Sequence, residues 1–299
     1  MRVGFVGATG LMGHGMAKNI QAKGFELSYT LRSESDRVED LDAAGATRAE
    51  GYAELGRTCD VVVICVTSSA DVEAVVAGEG GLLTEPRAGL VIVDTTTAEP
   101  SSTRLLASRA AEVGVGYVDA PLTKGPAQAE AGELNTMVGG EDAHIDSVMP
   151  VLQAFSAYQL RTGPVGTAHT LKLINNTIIQ AFCAAMAEGF AVAAGAEMDP
   201  RLVHEILSQG GMNAPIMHTM GNALDGDYSG MEFYIDNARK DVRYYTRLAG
   251  DLGTVAPLGN AAHQALSAAS KLGYGQKFVP ELVNAAAELN GVELGAPEE

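Results

Sequence analysis

Basic side chains are in short supply. Twenty Lys and Arg face 37 Asp and Glu, which gives the 299-residue chain a net charge of −17 at pH 7. A surface that negative repels a phosphate backbone, so no nucleic-acid partner is expected. Cysteine is scarcer still. Cys59, Cys65 and Cys183 are an odd number without metal spacing, which excludes a disulfide framework and points to buried reduced thiols. No apolar run reaches membrane length, because the best candidate, from Ile178 onward, is broken by Gln180, Glu188 and several Gly. The opening MRVGFVGATG reads as strand and loop rather than as a signal peptide, and a cytoplasmic location is the expectation. The six histidines, His14, His144, His169, His204, His218 and His263, show no ligand spacing. With no GxSxG or Cys–His pattern either, neither a metal nor a serine or cysteine nucleophile is implied.

Glycine, by contrast, is abundant. Thirty-five residues exceed the ~7% typical of proteins and call for tight turns or close backbone approach. A 46% hydrophobic, 19% charged composition belongs to a folded chain, and its length exceeds the ~100–200 residues of one domain. Two domains are expected, at residues 1–163 and 164–299.

The first half alternates short β-rich runs with helical periodicity. The strand candidates are Val3–Val6, Leu27–Leu31, Val61–Val66, Leu90–Val93 and Tyr117–Val118; the helical stretches include Met12–Lys23, Ala70–Ala77 and Ser102–Glu112. Such alternation predicts an α/β domain with a parallel sheet covered on both faces. Gly24, Gly45 and Gly114 stand where helices should stop. After Gly163 the pattern is helical. Leu171, Ile174, Ile178, Phe182, Ala185 and Val192 recur at three- and four-residue spacing over about 28 residues, which predicts a long interdomain helix. Asp199-Pro200 reads as a cap with Pro at the first helical position, stopped at Gly210-Gly211. Pro257 and Pro280 open two further helices that close near Gly273 and Gly291, so the C-terminal domain is predicted all-α. Residues 295–299 read as a loose tail.

Three segments carry chemistry. Strand 2–6 runs into Gly7-Ala8-Thr9-Gly10-Leu11-Met12-Gly13 and then a helix, the context in which backbone N–H groups at a helix N-terminus meet a dinucleotide pyrophosphate. The spacing is GxxGxxG, one residue longer than GxGxxG. After the second strand stand Arg32 and Ser33, where an acid would select NAD; a guanidinium and a hydroxyl favour the 2′-phosphate of NADP, unless Glu34 serves the ribose. Further on, Lys172 and Asn176 share a helical face, with Asn175 beside them, and can offer a cation and an amide to one carbonyl and one carboxylate. The loop Thr123-Lys124-Gly125 can place N–H groups and a cation beside an anionic substrate.

Taken together, the chain resembles the β-hydroxyacid dehydrogenase family, which includes 3-hydroxyisobutyrate dehydrogenase, tartronate semialdehyde reductase and sulfolactaldehyde reductase. The likeness spans nearly the whole chain. It rests on GFVGATGLMGHGMAKNI, on Asp94-Thr95-Thr96-Thr97, on DAPLTKG followed by ELNTMVGG, on KLINN, and on Phe233 with Lys240-Asp241. The resemblance implies a Rossmann domain, a long connecting helix and an all-helical domain that builds a homodimer or higher homo-oligomer. It implies Lys172 as the catalytic lysine, Asn176 as a substrate-holding amide and Thr123-Lys124-Gly125 as the substrate loop. Thr97 and Lys240 match residues near the nicotinamide, and Thr67 takes the place of a Pro after the third strand. Departures stand beside the matches: the longer glycine loop, Ala168 for a Gly, Leu31 for the Asn before Arg32, and Lys124 for the first Gly of a Gly-Gly pair.

The implied activity is reversible hydride transfer between NADP(H), or alternatively NAD(H), and a small 3-hydroxy acid or its semialdehyde, with Lys172 as general acid/base. Lys124 adds a cation to the loop and keeps a sulfonated aldehyde open as substrate. Two related activities fit less well: 6-phosphogluconate dehydrogenases carry His where Asn175 stands, and imine reductases usually lack the lysine that Lys172 matches. A non-catalytic NADP-binding protein is the rival of a different class.

Overall fold

The computed structural model describes residues 1–33 and 35–295. Glu34, the alternative ribose ligand, and most of the expected tail fall outside them. The described chain divides into two compact units, Met1–Lys172 and Leu173–Glu299.

The N-terminal unit opens with β1 (Arg2–Val6), α1 (Gly13–Ala22), β2 (Glu26–Thr30), α2 (Glu39–Ala43), β3 (Thr47–Arg48), α3 (Tyr52–Thr58), β4 (Val61–Ile64), α4 (Ser69–Ala77), β5 (Val91–Asp94), α5 (Pro100–Glu112) and β6 (Gly116–Asp119). It continues through β7 (Leu122–Thr123), α6 (Pro126–Ala131), β8 (Leu134–Gly139), α7 (Asp142–Phe155) and β9 (Ser156–Gly163) into α8 (Thr167–Gly195). The sheet runs β3-β2-β1-β4-β5-β6-β8-β7, with β9 paired to β8. From β3 to β6 every pairing is parallel.

Both faces of this sheet are core, as the continuous apolar runs require. Val3, Phe5, Val61, Val63, Val91, Val93 and Val118 meet Met16, Ile20, Leu41, Ile145 and Val148 of the helices on one side. Their neighbours Val6, Val62, Ile64, Ile92 and Tyr117 meet Leu55, Val72, Val75 and Leu106 on the other. The period of two in the strands thus splits each run between two layers of helix. The parallel Rossmann-type sheet and its helices stand as expected, with boundaries shifted by one or two residues.

The short or polar strands carried no apolar run to announce them. β9 is mostly exposed and gains its order from pairing with β8, not from burial.

The C-terminal unit is helical. It comprises the rest of α8, then α9 (Arg201–Ser208), α10 (Pro215–Asn222), α11 (Ile235–Asp251), α12 (Pro257–Ala269) and α13 (Leu282–Asn290). Cys183, Met186 and Phe190 of α8 join Met217, Met220, Ile235, Val242, Leu266 and Val283 in its core. The Asp199 carboxylate accepts the Arg201 N–H at 2.9 Å, so the cap acts as expected although the regular helix starts one residue after Pro200. Gly273 and Gly291 both take the left-handed conformation expected of stops.

Helix α8 differs from its sequence pattern in two ways. The apolar stripe read from spacing is largely the exposed one, with Ile174, Ile178 and Val192 at 38, 66 and 67% exposure, while Leu173, Cys183, Met186 and Phe190 face the core. The helix is therefore apolar on more than one face. It is also long and apolar enough to cross a membrane by length and composition, contrary to the reading that Gln180 and Glu188 break the run; its core-facing side chains mark it as the central helix of a packed unit. The unit boundary falls inside α8 rather than at residue 163. His169, in its first turn, bonds Thr103 of α5 through Nδ1 at 2.7 Å, which ties the start of the helix to the N-terminal unit.

Candidate active site

Parallel order places the expected ligand-binding segments along one edge of the N-terminal sheet. The stretches that leave the C-terminal ends of β2, β1, β4, β5 and β6 carry, in that order, Arg32–Ser33, Gly7–Gly13, Thr67, Thr97 and Thr123–Gly125. Strand order reverses between β1 and β4, the place where open α/β sheets present a ligand crevice.

At that reversal two glycines let backbone approach backbone. A Cβ on Gly7 would lie 2.0 Å from Cys65 O, and one on Gly13 would lie 2.1 Å from Gly7 O. Gly7 also sits at φ +99°, where L side chains are strained. Gly10 N–H donates to Gly7 O at 3.0 Å, a turn that absorbs the extra residue of the loop. The helical ladder then begins with His14 N–H on Gly10 O at 3.2 Å. The N–H groups of Leu11, Met12 and Gly13 precede it and point out of the helix end. This cradle fits a dinucleotide pyrophosphate.

The other edge segments are placed as follows. Arg32 is 91% exposed at its side chain, and its Nη1 reaches Asp71 Oδ1 only at 3.8 Å. Ser33 is exposed beside it, and the described end of β2 offers no acid. Thr67 is exposed just ahead of Ser68, whose hydroxyl caps α4 by accepting Asp71 N–H at 3.3 Å. Thr97 is half-buried after the buried Asp94-Thr95-Thr96. Burial pushes the Asp94 carboxyl above the ordinary range, although it accepts from Thr96 N–H and Tyr117 OH at 3.0 Å each.

In the substrate-loop candidate, Lys124 holds φ +77°, and its Nζ donates to Glu133 O at 2.7 Å. Thr123 ends β7, and Gly125 N–H donates to Gln128 Oε1 at 3.1 Å to start α6. Asp119, fully buried at the end of β6, accepts the N–H groups of Gly166 and His169 at 2.8 and 2.9 Å and so caps α8. Lys172 lies half-buried within the first two turns beyond that cap.

In the C-terminal unit, Asn176 is buried and its amide is fixed at both ends. Nδ2 donates to Asp241 Oδ2 at 2.6 Å, and Oδ1 accepts from Asn175 Nδ2 at 3.1 Å. Lys240 Nζ lies 2.7 Å from Asp241 Oδ1, an ion pair between two buried or nearly buried side chains. Lys240 also stands 4.9 Å over the Tyr244 ring. Phe233 is half-buried before α11.

The candidates therefore fall into an N-terminal set, with the glycine loop, the edge segments and Lys172, and a C-terminal set of Asn176 with Lys240. Sequence reasoning missed the cap formed by Asp119 and the seat of His169. It also missed His14, which touches Glu130 and Asp40 across 116 and 26 residues. Nothing in the sequence pairs residues so far apart. Among the described residues no cluster of metal-ligating side chains occurs.

Comparison with known proteins adds the lineage. Residues 2–168 match the family described as the NAD binding domain of 6-phosphogluconate dehydrogenase, and residues 166–285 match the family described as NAD-binding of NADP-dependent 3-hydroxyisobutyrate dehydrogenase. The 2-(hydroxymethyl)glutarate dehydrogenase of Eubacterium barkeri is 28% identical over 98% of this chain and 97% of its own. The mitochondrial 3-hydroxyisobutyrate dehydrogenase of Mus musculus is 28% identical over 92% of this chain and 84% of its own. Among solved structures, the 3-hydroxyisobutyrate dehydrogenase of Salmonella typhimurium superposes with a TM-score of 0.83 at 25% identity, covering 95% of this chain and 99% of that one.

Proposed function

The chain belongs to the β-hydroxyacid dehydrogenase family of NAD(P)-dependent oxidoreductases, and from that membership we propose that it interconverts a small 3-hydroxy acid and its semialdehyde with NADP(H), using Lys172 as general acid/base. The relatives named for 2-(hydroxymethyl)glutarate and 3-hydroxyisobutyrate support the substrate class. When bound, the nicotinamide supplies or accepts the hydride at the substrate's reacting carbon. The rest of the work falls to the chain. Gly7, Gly10, Leu11, Met12 and Gly13 cradle the pyrophosphate, while Arg32 and Ser33 meet a 2′-phosphate. Thr67, Thr97 and Lys240 line the nicotinamide end.

The observation that carries this reading is the arrangement on α8. Lys172 and Asn176 stand one turn apart, and Asn176 is locked by Asp241. Asn176 spends one N–H of Nδ2 on Asp241 and keeps the other for the substrate. In reduction Lys172 Nζ gives a proton to the carbonyl oxygen; in oxidation it takes the hydroxyl proton. Thr123, Lys124 and Gly125 hold the acid group.

The test is turnover of a panel of carboxylate and sulfonate semialdehydes with NADPH and with NADH. Lys172→Ala is expected to lower turnover by ~10² or more while its NADPH affinity stays at the wild-type value. Undiminished turnover in the folded variant would remove Lys172 from the chemistry, and NADPH binding by the wild type without oxidation by any acid of the panel would favour a non-catalytic cofactor-binding protein.

A further inference from the structure

His14 is the second residue of α1, directly behind the glycine cradle, and its ring is buried. Nδ1 lies 2.8 Å from Glu130 Oε1, and Nε2 lies 3.0 Å from Asp40 Oδ1. Ionised carboxylates only accept hydrogen bonds, and a neutral imidazole has one N–H and one lone pair. A neutral ring can therefore satisfy one of these contacts and must set its lone pair against the other. Only the imidazolium makes both.

The two carboxylates belong to different elements. Asp40 is in α2 and also takes the Leu41 N–H at 2.9 Å. Glu130 is in the last turn of α6, the helix that follows Thr123-Lys124-Gly125, and its second oxygen accepts from Lys18 Nζ at 3.3 Å. α1 and α6 already touch through their backbones. A Cβ on Gly15 would lie 2.5 Å from Glu130 N, and Asn19 Nδ2 donates to Ala129 O and Glu130 O at 3.0 Å each.

We propose that His14 is a positioning residue: as an imidazolium bonded at both nitrogens it fixes the first turn of α1 against α2 and α6, and loss of its proton weakens binding of the nicotinamide dinucleotide. The inference rests on the cofactor assignment above. Charge gives the coupling its sign. The groups facing the ring are Asp40 from α2, Glu130 from α6 and, through Glu130, Lys18 from α1 itself. With His14 charged, two cations balance two anions. Without its proton, a net negative charge stands within a turn of the N–H groups that meet the pyrophosphate, and one bond of the clamp becomes a repulsion.

Burial by itself lowers the pKa of His14, but the hydrogen bonds and charges of Glu130 and Asp40 outweigh it and hold the group above 6.5. Both carboxyls are in turn held below their ordinary range by the ring, against the opposing effect of burial. A raised pKa in the folded state means the clamp is complete at low pH and is lost as pH rises through that value.

The experiment follows NADPH affinity by fluorescence from pH 6 to 9.5 in the wild type and in His14→Gln, alongside an NMR titration of the His14 ring. The wild-type dissociation constant is expected to rise with pH by about 2–5-fold more than that of His14→Gln, the size of a single charge near a helix terminus. The ring should titrate above 6.5, and Glu130→Gln should move its midpoint down. Parallel affinity curves, or a midpoint at or below 6.5, overturn the proposal. Should His14→Gln not fold, an unmoved midpoint in Glu130→Gln overturns it equally. Absence of NADPH binding at every pH would instead overturn the cofactor assignment and with it the coupling, and the NMR midpoint would still decide whether the ring is doubly bonded.

Discussion

In the N-terminal unit the surfaces proposed for a ligand are mostly main chain: the N–H groups ahead of α1, in a loop whose close backbone approach needs Gly7 and Gly13, and the loops at the ends of parallel strands. In the C-terminal unit they are side chains, where Asn176 of α8 meets Asp241 of α11 across 65 residues and Asp241 in turn meets Lys240. The two constructions fail differently. A backbone cradle is lost when something is added to it. A buried polar pair is lost when something is taken away.

Taking away should do the greater damage. Asp241→Ala strips the acceptor from Asn176 Nδ2 and the buried counter-charge from Lys240, a kind of loss that costs ~3–5 kcal/mol. Asp241→Asn keeps an acceptor for Asn176 and should recover part of that. Urea denaturation of both variants measures the difference, and a cost below about 1 kcal/mol for Ala would show that the pair is no more than a surface contact.

Adding comes next. Gly7→Ala forces a Cβ into Cys65 O and keeps a left-handed backbone, for a combined cost of about 2–4 kcal/mol, together with weakened NADPH binding. Gly89 is the matched control, at φ +78° with nothing within 4 Å of a Cβ. Gly89→Ala should lose only the ~1 kcal/mol of the left-handed conformation. If the two variants unfold at the same denaturant concentration, close backbone approach is not what glycine secures at position 7.

The same contrast explains what the sequence made legible. Glycine spacing, strand alternation and capping residues are local signals, so the glycine loop, the parallel order and the stops at Gly24, Gly45 and Gly114 are legible in the sequence alone. The spacing of Ile174, Ile178 and Val192 marks an apolar face, but periodicity cannot tell a face that meets its own core from one that meets solvent in the single chain. The Asp119 cap on α8 and the His14 clamp are tertiary pairings between carboxylates and donors far along the chain, and no residue spacing encodes them. Helical spacing singles out Lys172 and Asn176, and resemblance adds Lys240 and the roles proposed for all three; the tie from Asn176 to Asp241, 65 residues away, is encoded by no spacing.

Lys124 belongs to neither construction, and its replacement should have the smallest effect on stability. It is one of two non-glycine residues, with Glu197, that hold positive φ among those described. That conformation costs ~1–2 kcal/mol, which Lys124→Gly would relieve. Against the relief stand the bond from Nζ to Glu133 O, ~0.5–1.5 kcal/mol, and the added freedom of glycine in the unfolded chain, ~0.5–1 kcal/mol. These contributions nearly cancel, so the variant should unfold within about 1 kcal/mol of the wild type. A lysine held in strain without a gain in stability fits a role toward the ligand. To serve a substrate acid, Nζ can keep its bond to Glu133 O and donate a second of its three N–H groups, and one exposed charge contact of this kind is worth about tenfold in KM or less. The measurement is the ratio of KM for sulfonate and carboxylate semialdehydes in the two proteins. A ratio that shifts makes the loop a reader of the acid group; an identical ratio confines Lys124 to its bond with Glu133 O, between the end of β7 and the start of β8.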